Sequence, residues 1–291
     1  MEFLQPASWT EALAMKAAHP EAVPIAGGTD VMVDINFDRL RPAAIIDLTR
    51  IAELNEWGMD GGFLRIGAGV TYTRMIDELA DRLPGLAMAS RTVGSPQIRN
   101  RGTVGGNLGS ASPAGDAHPP LLASDALVEL DSTSGSRRLP LRDFYVGPKR
   151  NAMRKDELIA AFVVEPAKGP QQFCKVGTRN AMVIAVCSFA IALDSERRQV
   201  GTGIGSAAPT PVTAGEAETY MAGVLDEGGL WEKAAPVAAG ALARFGELVA
   251  ASARPIDDVR GTAAYRTYAL AVLARRSFTW AWDEYRRTAS A

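Results

Sequence analysis

Two glycine-rich stretches are the parts of this sequence whose residue types and spacing could do chemistry. The first glycine stretch is residues 24–31 (Pro-Ile-Ala-Gly-Gly-Thr-Asp-Val), and the second is residues 99–107 (Arg-Asn-Arg-Gly-Thr-Val-Gly-Gly-Asn). Glycine adopts positive φ without steric cost, so successive backbone N–H groups can converge on one point and bind phosphate oxygens. The missing Cβ also lets a pyrophosphate approach the main chain. The pair therefore indicates either a phosphate or dinucleotide site or two ordinary turns.

Standard nucleotide-binding fingerprints are absent from the sequence. The Gly-x-Gly-x-x-Gly motif does not occur, because Ser206 follows the nearest approach to it, the Gly-Thr-Gly-Ile-Gly run at residues 201–205. That run lacks the third glycine, which close helix packing requires, and we predict a strand and a turn there. A phosphate-binding Gly-x-x-x-x-Gly-Lys-Ser/Thr loop is also missing. A dinucleotide, if one binds, must bind in another manner.

Cysteine and histidine are scarce, since the sequence has only Cys174, Cys187, His19 and His118. A zinc module or an all-cysteine iron–sulfur cluster needs about four such ligands, so neither is predicted within this chain. We expect both cysteines to be buried without a disulfide, His19 to end a helix, and His118 to be a packed or surface residue of a Pro-rich loop. No Gly-x-Ser-x-Gly elbow occurs, and no autonomous acid–base site is predicted.

Composition describes an ordinary globular chain of 291 residues, with 47% hydrophobic and 22% charged residues and a net charge of −2. At about 150 residues per domain, this length predicts about two domains. The charge balance gives no basic stripe for nucleic acid. The longest apolar run, residues 181–193, is shorter than the ~20 residues that span a bilayer, and the first residues lack signal-peptide features. We therefore expect a cytoplasmic protein without a transmembrane segment.

Strands and helices alternate around the first glycine stretch, over residues 1–56. Ser8 or Thr10 can cap a helix over residues 11–19. Short apolar strands are predicted at 23–25 and 44–48, with a helix at 31–37 between them. This order predicts a small α/β lobe with a parallel layer.

Residues 57–167 are predicted to form a larger α+β lobe. The pattern indicates a hairpin strand near 61–68, a helix over 73–83, and strands at 126–130 and 158–164. The segment 93–120, which carries the second glycine stretch, is predicted to be the least regular.

A polar Gly-Pro segment at residues 167–172 predicts a domain boundary, with a C-terminal domain over 168–291. Strands are predicted there at 173–176, 183–193 and 200–204. Helices are predicted at 215–221, 230–247 and 263–276. Strands followed by helices, without alternation, indicate an α+β domain.

Taken together, the two glycine stretches resemble those of the FAD-binding subunit of molybdenum hydroxylases, the family of xanthine dehydrogenase and carbon monoxide dehydrogenase. The first match is Ile-Ala-Gly-Gly-Thr-Asp at 25–30. The second extends over 95–116, through the runs Ser-Pro-Gln-Ile-Arg-Asn, Gly-Thr-Val-Gly-Gly-Asn-Leu and Ala-Ser-Pro-Ala-Gly-Asp. Segments 156–159, 173–179 and 257–266 are also similar to the family, in the same order, so the resemblance covers nearly the whole chain.

The resemblance implies a fold and a set of binding residues. The fold is a bipartite FAD-binding domain of the vanillyl-alcohol-oxidase-like type, followed by a C-terminal α+β domain with a three-stranded antiparallel sheet and helices. The residues implied to clasp the FAD pyrophosphate are Ile25, Ala26, Gly27, Gly28, Thr29, Asp30, Val31, Thr103, Val104, Gly105, Gly106 and Asn107.

Three further positions carry implied roles in binding the cofactor. Asp116 would hydrogen-bond the polar tail or the ribityl region of the flavin, Ile159 would lie beside the isoalloxazine or the adenine, and Lys175 would contact the cofactor. From the residues alone, Ile159 can equally be ordinary strand core, and Lys175 can be a solvated lysine at a strand end.

The family also implies a function and partners. The chain would accept electrons from [2Fe–2S] clusters on a small subunit, after substrate oxidation at a molybdenum cofactor on a large subunit. It would pass them to NAD or another acceptor within a dimer of heterotrimers. Two other hypotheses remain open: a stand-alone flavin oxidase or reductase on the same FAD fold, and an assembly subunit that has lost its cofactor. The intact glycines disfavour the assembly subunit.

Two departures from the family pattern matter for these expectations. Some members carry an insertion with iron–sulfur cysteines near the second stretch, whereas residues 114–122 run on without one, so no cluster is predicted in this chain. Some members place an aromatic residue beside the flavin where this chain has Val93, which leaves open what covers the ring. The substrate (a purine, another N-heterocycle, an aldehyde or CO) and the acceptor (NAD, oxygen or a quinone) are also left open.

Overall fold

The computed structural model describes residues 1–289, and its first element is a three-stranded parallel sheet. Its strands are β1 (Glu2–Leu4), β2 (Val23–Ile25) and β3 (Ala44–Asp47), and β3 lies in the middle. The crossovers that parallel strands require are the helices α1 (Trp9–Ala18) and α2 (Val31–Asn36). Ser8 caps α1, because its hydroxyl accepts a hydrogen bond from the Glu11 N–H at 3.2 Å. The first glycine stretch therefore connects β2 to α2.

A five-stranded antiparallel sheet forms the core of the next region. A short 3₁₀ turn (Ala52–Asn55) leads into its strands, which are β4 (Trp57–Asp60), β5 (Phe63–Gly67), β6 (Leu127–Ser132), β7 (Gly135–Pro140) and, after a small ribbon of β8 (Tyr145–Gly147) and β9 (Arg150–Asn151), β10 (Leu158–Val164). β10 is buried along its whole length because it is the central strand, between β5 and β6. Its run of apolar residues is typical of a strand covered on both faces.

The segment 93–120, predicted to be the least regular, contains short helices joined by turns, which the sequence pattern does not predict. The helices of this region are α3 (Tyr72–Glu78), α4 (Pro84–Arg91), α5 (Pro96–Arg101), α6 (Val104–Ser110), α7 (His118–Ala123) and α8 (Leu141–Phe144). Hydroxyl caps at Ser95 and Thr103 begin α5 and α6. These helices are too short to be stable alone and depend on packing against the sheet. The helix predicted over 73–83 ends earlier, at Glu78.

The C-terminal region is a three-stranded antiparallel sheet covered by helices. The elements are β11 (Gln171–Val176), β12 (Cys187–Asp194), β13 (Gln199–Gly205), α9 (Gly215–Glu227), α10 (Leu230–Lys233), α11 (Ala239–Ser252) and α12 (Ala263–Ala289). The single helix predicted over 230–247 is interrupted, because Ala234 has a positive φ of 47° and Pro236 has no N–H to donate. The last two residues of the domain predicted over 168–291 lie outside the described residues.

The structure has two main hydrophobic clusters, one in the part of the chain before residue 167 and one in the C-terminal region. Between them lies a seam at which the backbones of β13 and α7 are in contact. The C-terminal cluster is rich in aromatic rings, such as the Trp231–Trp282 pair at 5.2 Å between centroids. At the seam, a Cβ built on Gly201 or Gly203 of β13 would lie 2.0 Å from the carbonyl oxygen of Ala123 or Pro119 in α7. The Gly-Thr-Gly-Ile-Gly run is thus part of a strand. Its first two glycines have no Cβ, which allows the backbone of α7 to pack directly against the strand. Within residues 1–289, no helix combines the length and hydrophobicity required to cross a membrane.

Candidate functional site

A cavity of about 560 Å³ lies where the two glycine stretches meet. Parts of α1, β2, α2, α3, α5, α6 and β10 contribute to its wall. Of the residues implicated by sequence, it is lined by Ala26, Gly27, Gly28, Thr29, Asp30, Val31, Thr103, Gly105, Gly106, Asn107 and Ile159. The fold therefore brings together on one surface two segments that are more than 70 residues apart in sequence.

The first glycine stretch turns sharply at the end of β2, and each of its two glycines meets a different physical requirement. A Cβ on Gly27 would lie 2.0 Å from the carbonyl oxygen of Arg101, so the backbones of the two stretches touch here. Gly28 has a φ of +74°, which L residues with a Cβ rarely adopt. The chain then enters α2 at Val31.

The second glycine stretch is the start of a helix rather than a loop. The hydroxyl of Thr103 caps α6 by accepting a hydrogen bond from the Gly106 N–H at 2.9 Å. Gly105 packs directly against Ala68, since a Cβ there would lie 2.5 Å from the Ala68 Cβ and carbonyl oxygen. Apart from its chain neighbours and the backbone of α6 itself, a Cβ on Gly106 would meet Thr103 Oγ1, at 3.0 Å, and no other described atom within 4 Å. Gly106 therefore leaves bare backbone facing the cavity.

One wall of the cavity is apolar and includes a buried lysine that sequence analysis missed. Ile159 contributes from β10, with 8% of its surface exposed. Lys16 lies in the last turn of α1, and its ammonium donates to the carbonyls of Pro20 and Ala22, each at 2.8 Å. Burial lowers the pKa of Lys16, and the charges of Glu21 and Asp156 oppose that shift. Nothing in the sequence distinguishes this lysine from a solvated one at a helix end.

Asp116 and Lys175 form a buried ion pair that connects the C-terminal region to the site. Lys175 Nζ on β11 donates to Asp116 Oδ2 at 2.6 Å and to the Thr92 carbonyl at 3.0 Å. Burial raises the pKa of the Asp116 carboxyl, and the Lys175 charge opposes this shift. Asp116 Oδ1 is buried and has no hydrogen-bonding partner among the described residues. Its charge also acts on Tyr72, a buried tyrosine of the cavity wall whose pKa is raised chiefly by burial.

Four of the implicated residues lie outside the cavity wall itself. Asp116 and Lys175 lie behind it, next to Thr92, whose neighbour Val93 lines the cavity. Val104 is fully buried in the hydrophobic core. Ile25 lies in β2, where its side chain packs near Gly28.

His118 is a packed residue, one of the two expected alternatives, but it lies in a helix and not in a loop. It is the first residue of α7, is fully buried, and has its Nδ1 2.7 Å from the Tyr145 hydroxyl. Burial lowers the pKa of His118 to about 3, and the Ser112 carbonyl opposes the shift. The imidazole is therefore neutral at ordinary pH. Both cysteines are free thiols, and no cluster of three or more His, Cys, Asp or Glu side chains within residues 1–289 is arranged to hold a metal ion.

Comparisons with known proteins cover both the part of the chain before residue 167 and the C-terminal region. Residues 1–166 match the family model of the FAD binding domain in molybdopterin dehydrogenase, and residues 172–281 match that of the CO dehydrogenase flavoprotein C-terminal domain. The xanthine dehydrogenase FAD-binding subunit of Escherichia coli O157:H7 is 34% identical over 222 residues, 73% of this chain and 76% of the relative. The carbon monoxide dehydrogenase medium chain of Afipia carboxidovorans is 29% identical over 283 residues, 95% of this chain and 94% of the relative.

Solved structures show the same likeness over almost the full length. A carbon monoxide dehydrogenase from Hydrogenophaga pseudoflava, which lacks the Mo-pyranopterin moiety of its molybdenum cofactor, superimposes with a TM-score of 0.88 at 25% identity, over 98% of both chains. Reconstituted CO dehydrogenase from Oligotropha carboxidovorans gives a TM-score of 0.88 at 27% identity, again over 98% of both chains.

Proposed function

Because this chain belongs to the family of FAD-binding subunits of xanthine and CO dehydrogenase-type oxidoreductases, we propose that it is the electron-transfer subunit of a molybdenum hydroxylase complex. The observation that carries the proposal is the cavity in which both glycine stretches meet. Such a subunit needs a bound FAD and no substrate chemistry of its own. The roles proposed for the residues of this chain follow from how this cavity would hold the cofactor.

The residues present fit FAD. Gly106 offers bare backbone at the cavity surface, which is what a pyrophosphate requires for close approach. Asp116 Oδ1 is a buried acceptor without a partner, and an unpartnered buried acceptor is costly unless a ligand donates to it. Ile159 and Val93 supply apolar surface for a flat ring. We assign the pyrophosphate to residues 25–31 and 103–107.

This chain would bind the cofactor, orient it and set its electrostatic environment. FAD, when bound, supplies the ability to take up and release electrons singly or in pairs. Asp116 would accept a hydrogen bond from the ribityl chain or the ring, while Lys175 compensates its charge. Because Lys175 comes from the C-terminal region, the complete site requires both regions of the chain. Ile159 would exclude water from one face of a bound ring.

The organisation of the complex forms part of the same proposal. The chain would combine a vanillyl-alcohol-oxidase-like clasp, residues 1–167 with lobes 1–56 and 57–167, with a C-terminal domain over 168–291. A small partner would supply electrons from [2Fe–2S] clusters, and a large partner would carry the molybdenum cofactor. NAD or another acceptor would receive the electrons, and the complex would be a cytoplasmic dimer of heterotrimers.

Purification of the full chain tests this function. We expect a yellow protein that releases one FAD per chain on denaturation, and that transfers electrons from a reduced [2Fe–2S] protein to a dye. The chain alone should not oxidise a purine or an aldehyde. A colourless protein that fails to bind added FAD would overturn the proposal. Turnover of such substrates by the isolated chain would instead favour a stand-alone flavin oxidase or reductase.

A further inference from the structure

Three polar side chains next to the second glycine stretch lie in series, and the last of them lines the cavity. They are Tyr145, His118 and Asn107, and the positions of their polar atoms are specific. Asn107 Oδ1 and His118 Nε2 are both buried without a hydrogen-bonding partner among the described residues. They lie 2.7 and 2.3 Å from one point, the position that a Cβ of residue 115 would take. The two atoms therefore border the same space beside Gly115, with no hydrogen bond between them.

The surroundings of His118 decide which of its nitrogens carries the proton. Nε2 borders the same space as the acceptor Asn107 Oδ1, and a hydrogen bond with the Ser112 backbone opposes the fall in the pKa of His118. We assign the proton to Nε2, where Asn107 Oδ1 can accept it, so that Nδ1 accepts from the Tyr145 hydroxyl at 2.7 Å. In this tautomer Tyr145 holds a buried, neutral imidazole in place.

The amide of Asn107 has opposite ends in different surroundings. Its Oδ1 is buried. Its Nδ2 is not buried and has no hydrogen bond to any residue from 1 to 289, and the residue lines the cavity. If the Oδ1 end is held inside by a donor, the NH2 end must face the cavity. An NH2 group presents two donors, which suit an anion or a hydroxyl rather than a cation.

We propose that His118 is a positioning residue: oriented by Tyr145, it pairs its Nε2–H with the neighbouring, still unpaired Asn107 Oδ1 when the cofactor binds, and so aims the Asn107 NH2 group at a phosphate of that cofactor. This inference rests on the proposed function, because the phosphate belongs to FAD. Gly115 is part of the device, since any side chain there would separate the two polar atoms. Without His118, the amide can rotate and present its oxygen to the phosphate, which repels it.

A double-mutant cycle on the full chain separates positioning from a general structural role. The affinity of the apoprotein for FAD is measured by quenching of flavin fluorescence for wild type, Asn107→Ala, His118→Phe and the double variant. We expect each single change to weaken binding about tenfold, the effect of one charge-assisted hydrogen bond. The double variant should bind no more weakly than either single one. Losses that multiply would overturn the proposal.

A conservative substitution of His118 tests whether a donor at this position restores the affinity for FAD. His118→Gln carries an N–H donor on a side chain of similar reach, and it should recover most of the affinity that His118→Phe loses. Equal losses in the two variants would indicate that only the shape of His118 matters, and the proposal would then be wrong.

The tautomer can be measured without FAD. The chain has only His19 and His118, so their ring nitrogens can be assigned by 15N NMR with one His19→Gln sample. We expect a neutral His118 with its proton on Nε2, and a proton on Nδ1 would contradict the inference whether or not the phenylalanine variant folds. A wild-type chain that binds no FAD would overturn the proposed function, whereas FAD binding unaffected by Asn107→Ala would overturn only this inference.

Discussion

The two glycine stretches carry the same Gly-Gly pair, yet the fold uses the pairs differently. At Gly27-Gly28 the backbone itself needs glycine, because Gly27 touches the Arg101 carbonyl and Gly28 has a positive φ. At Gly105-Gly106 the backbone is helical, and only Gly105 is pressed against a neighbour, Ala68. Gly106 faces the cavity, and a Cβ there would come close only to a side-chain atom, the Thr103 hydroxyl at 3.0 Å.

The difference teaches that a glycine motif can serve folding and binding at separate positions. Gly27, Gly28 and Gly105 are required by the protein itself, whether or not a ligand is present. Gly106 is the only one of the four glycines at which neither a neighbouring backbone atom nor a positive φ excludes a side chain. Substitutions at these positions should therefore separate loss of stability from loss of FAD, and the expected effects decrease in the following order.

Gly27→Ala should have the largest effect. Its Cβ would lie 2.0 Å from a backbone oxygen, which cannot move aside like the end of a side chain, so the two stretches must separate. We expect the apoprotein to lose several kcal/mol of its free energy of unfolding, measured by chemical denaturation. Gly109→Ala is the control, because its Cβ would meet only Ile159 Cδ1 at an ordinary 3.7 Å. Similar stability of the two variants would show that the contact between the stretches is not tight.

Gly106→Val should abolish FAD binding while the chain stays folded. The branched side chain would occupy the space into which a pyrophosphate must come, and we expect at least a hundredfold loss of affinity, about 3 kcal/mol. The thermal midpoint of the apoprotein should change far less than for Gly27→Ala. Gly106→Ala is the milder comparison. If the valine variant kept its full FAD content, the second stretch would not be part of the FAD-binding site.

Gly28→Ala should cost about 1–2 kcal/mol of stability, because alanine is strained at a φ of +74°. The same change at Gly223, within α9 and with nothing near its Cβ, should instead stabilise the chain by up to about 1 kcal/mol. Denaturation midpoints of the two variants that move in the same direction would contradict the assigned backbone strain.

Thr103→Ala should give the smallest effect, about 1 kcal/mol of stability, through the lost cap of α6. Ser95→Ala removes the equivalent cap of α5 and should cost a similar amount. Only the Thr103 change should also weaken FAD binding, because Thr103 lines the cavity and Ser95 does not. A titration in which both variants bind FAD like wild type would restrict Thr103 to a folding role.

The parts of the fold that could be predicted are those whose local pattern is strong. The apolar run at Leu158–Val164 predicts β10 to the residue, and the alternation in residues 1–56 predicts the parallel strands around the first stretch. The helices between Pro96 and Ala123 could not be predicted from a local pattern in the same way. Their residues are poor helix formers, and tertiary packing supplies most of their stability.

The candidate site was only partly readable for a similar reason. Glycine pairs are visible in sequence, and they do line the cavity. The pairing of Asp116 with Lys175, the burial of Lys16 and the chain from Tyr145 to Asn107 depend on contacts between distant segments. Polar residues of these types are mostly exposed, so burial cannot be assigned to them from sequence alone.

The seam between β13 and α7 has a consequence for how the molecule unfolds. Bare backbone meets bare backbone at Gly201 and Gly203, with no side chain between them whose rotation could absorb a displacement. A hinge cannot form at such a contact. We expect β10 and β12, the central strands of the five-stranded and the C-terminal sheets, to exchange their amide hydrogens together, as one cooperative unit. The C-terminal region therefore cannot open and close independently over the cavity.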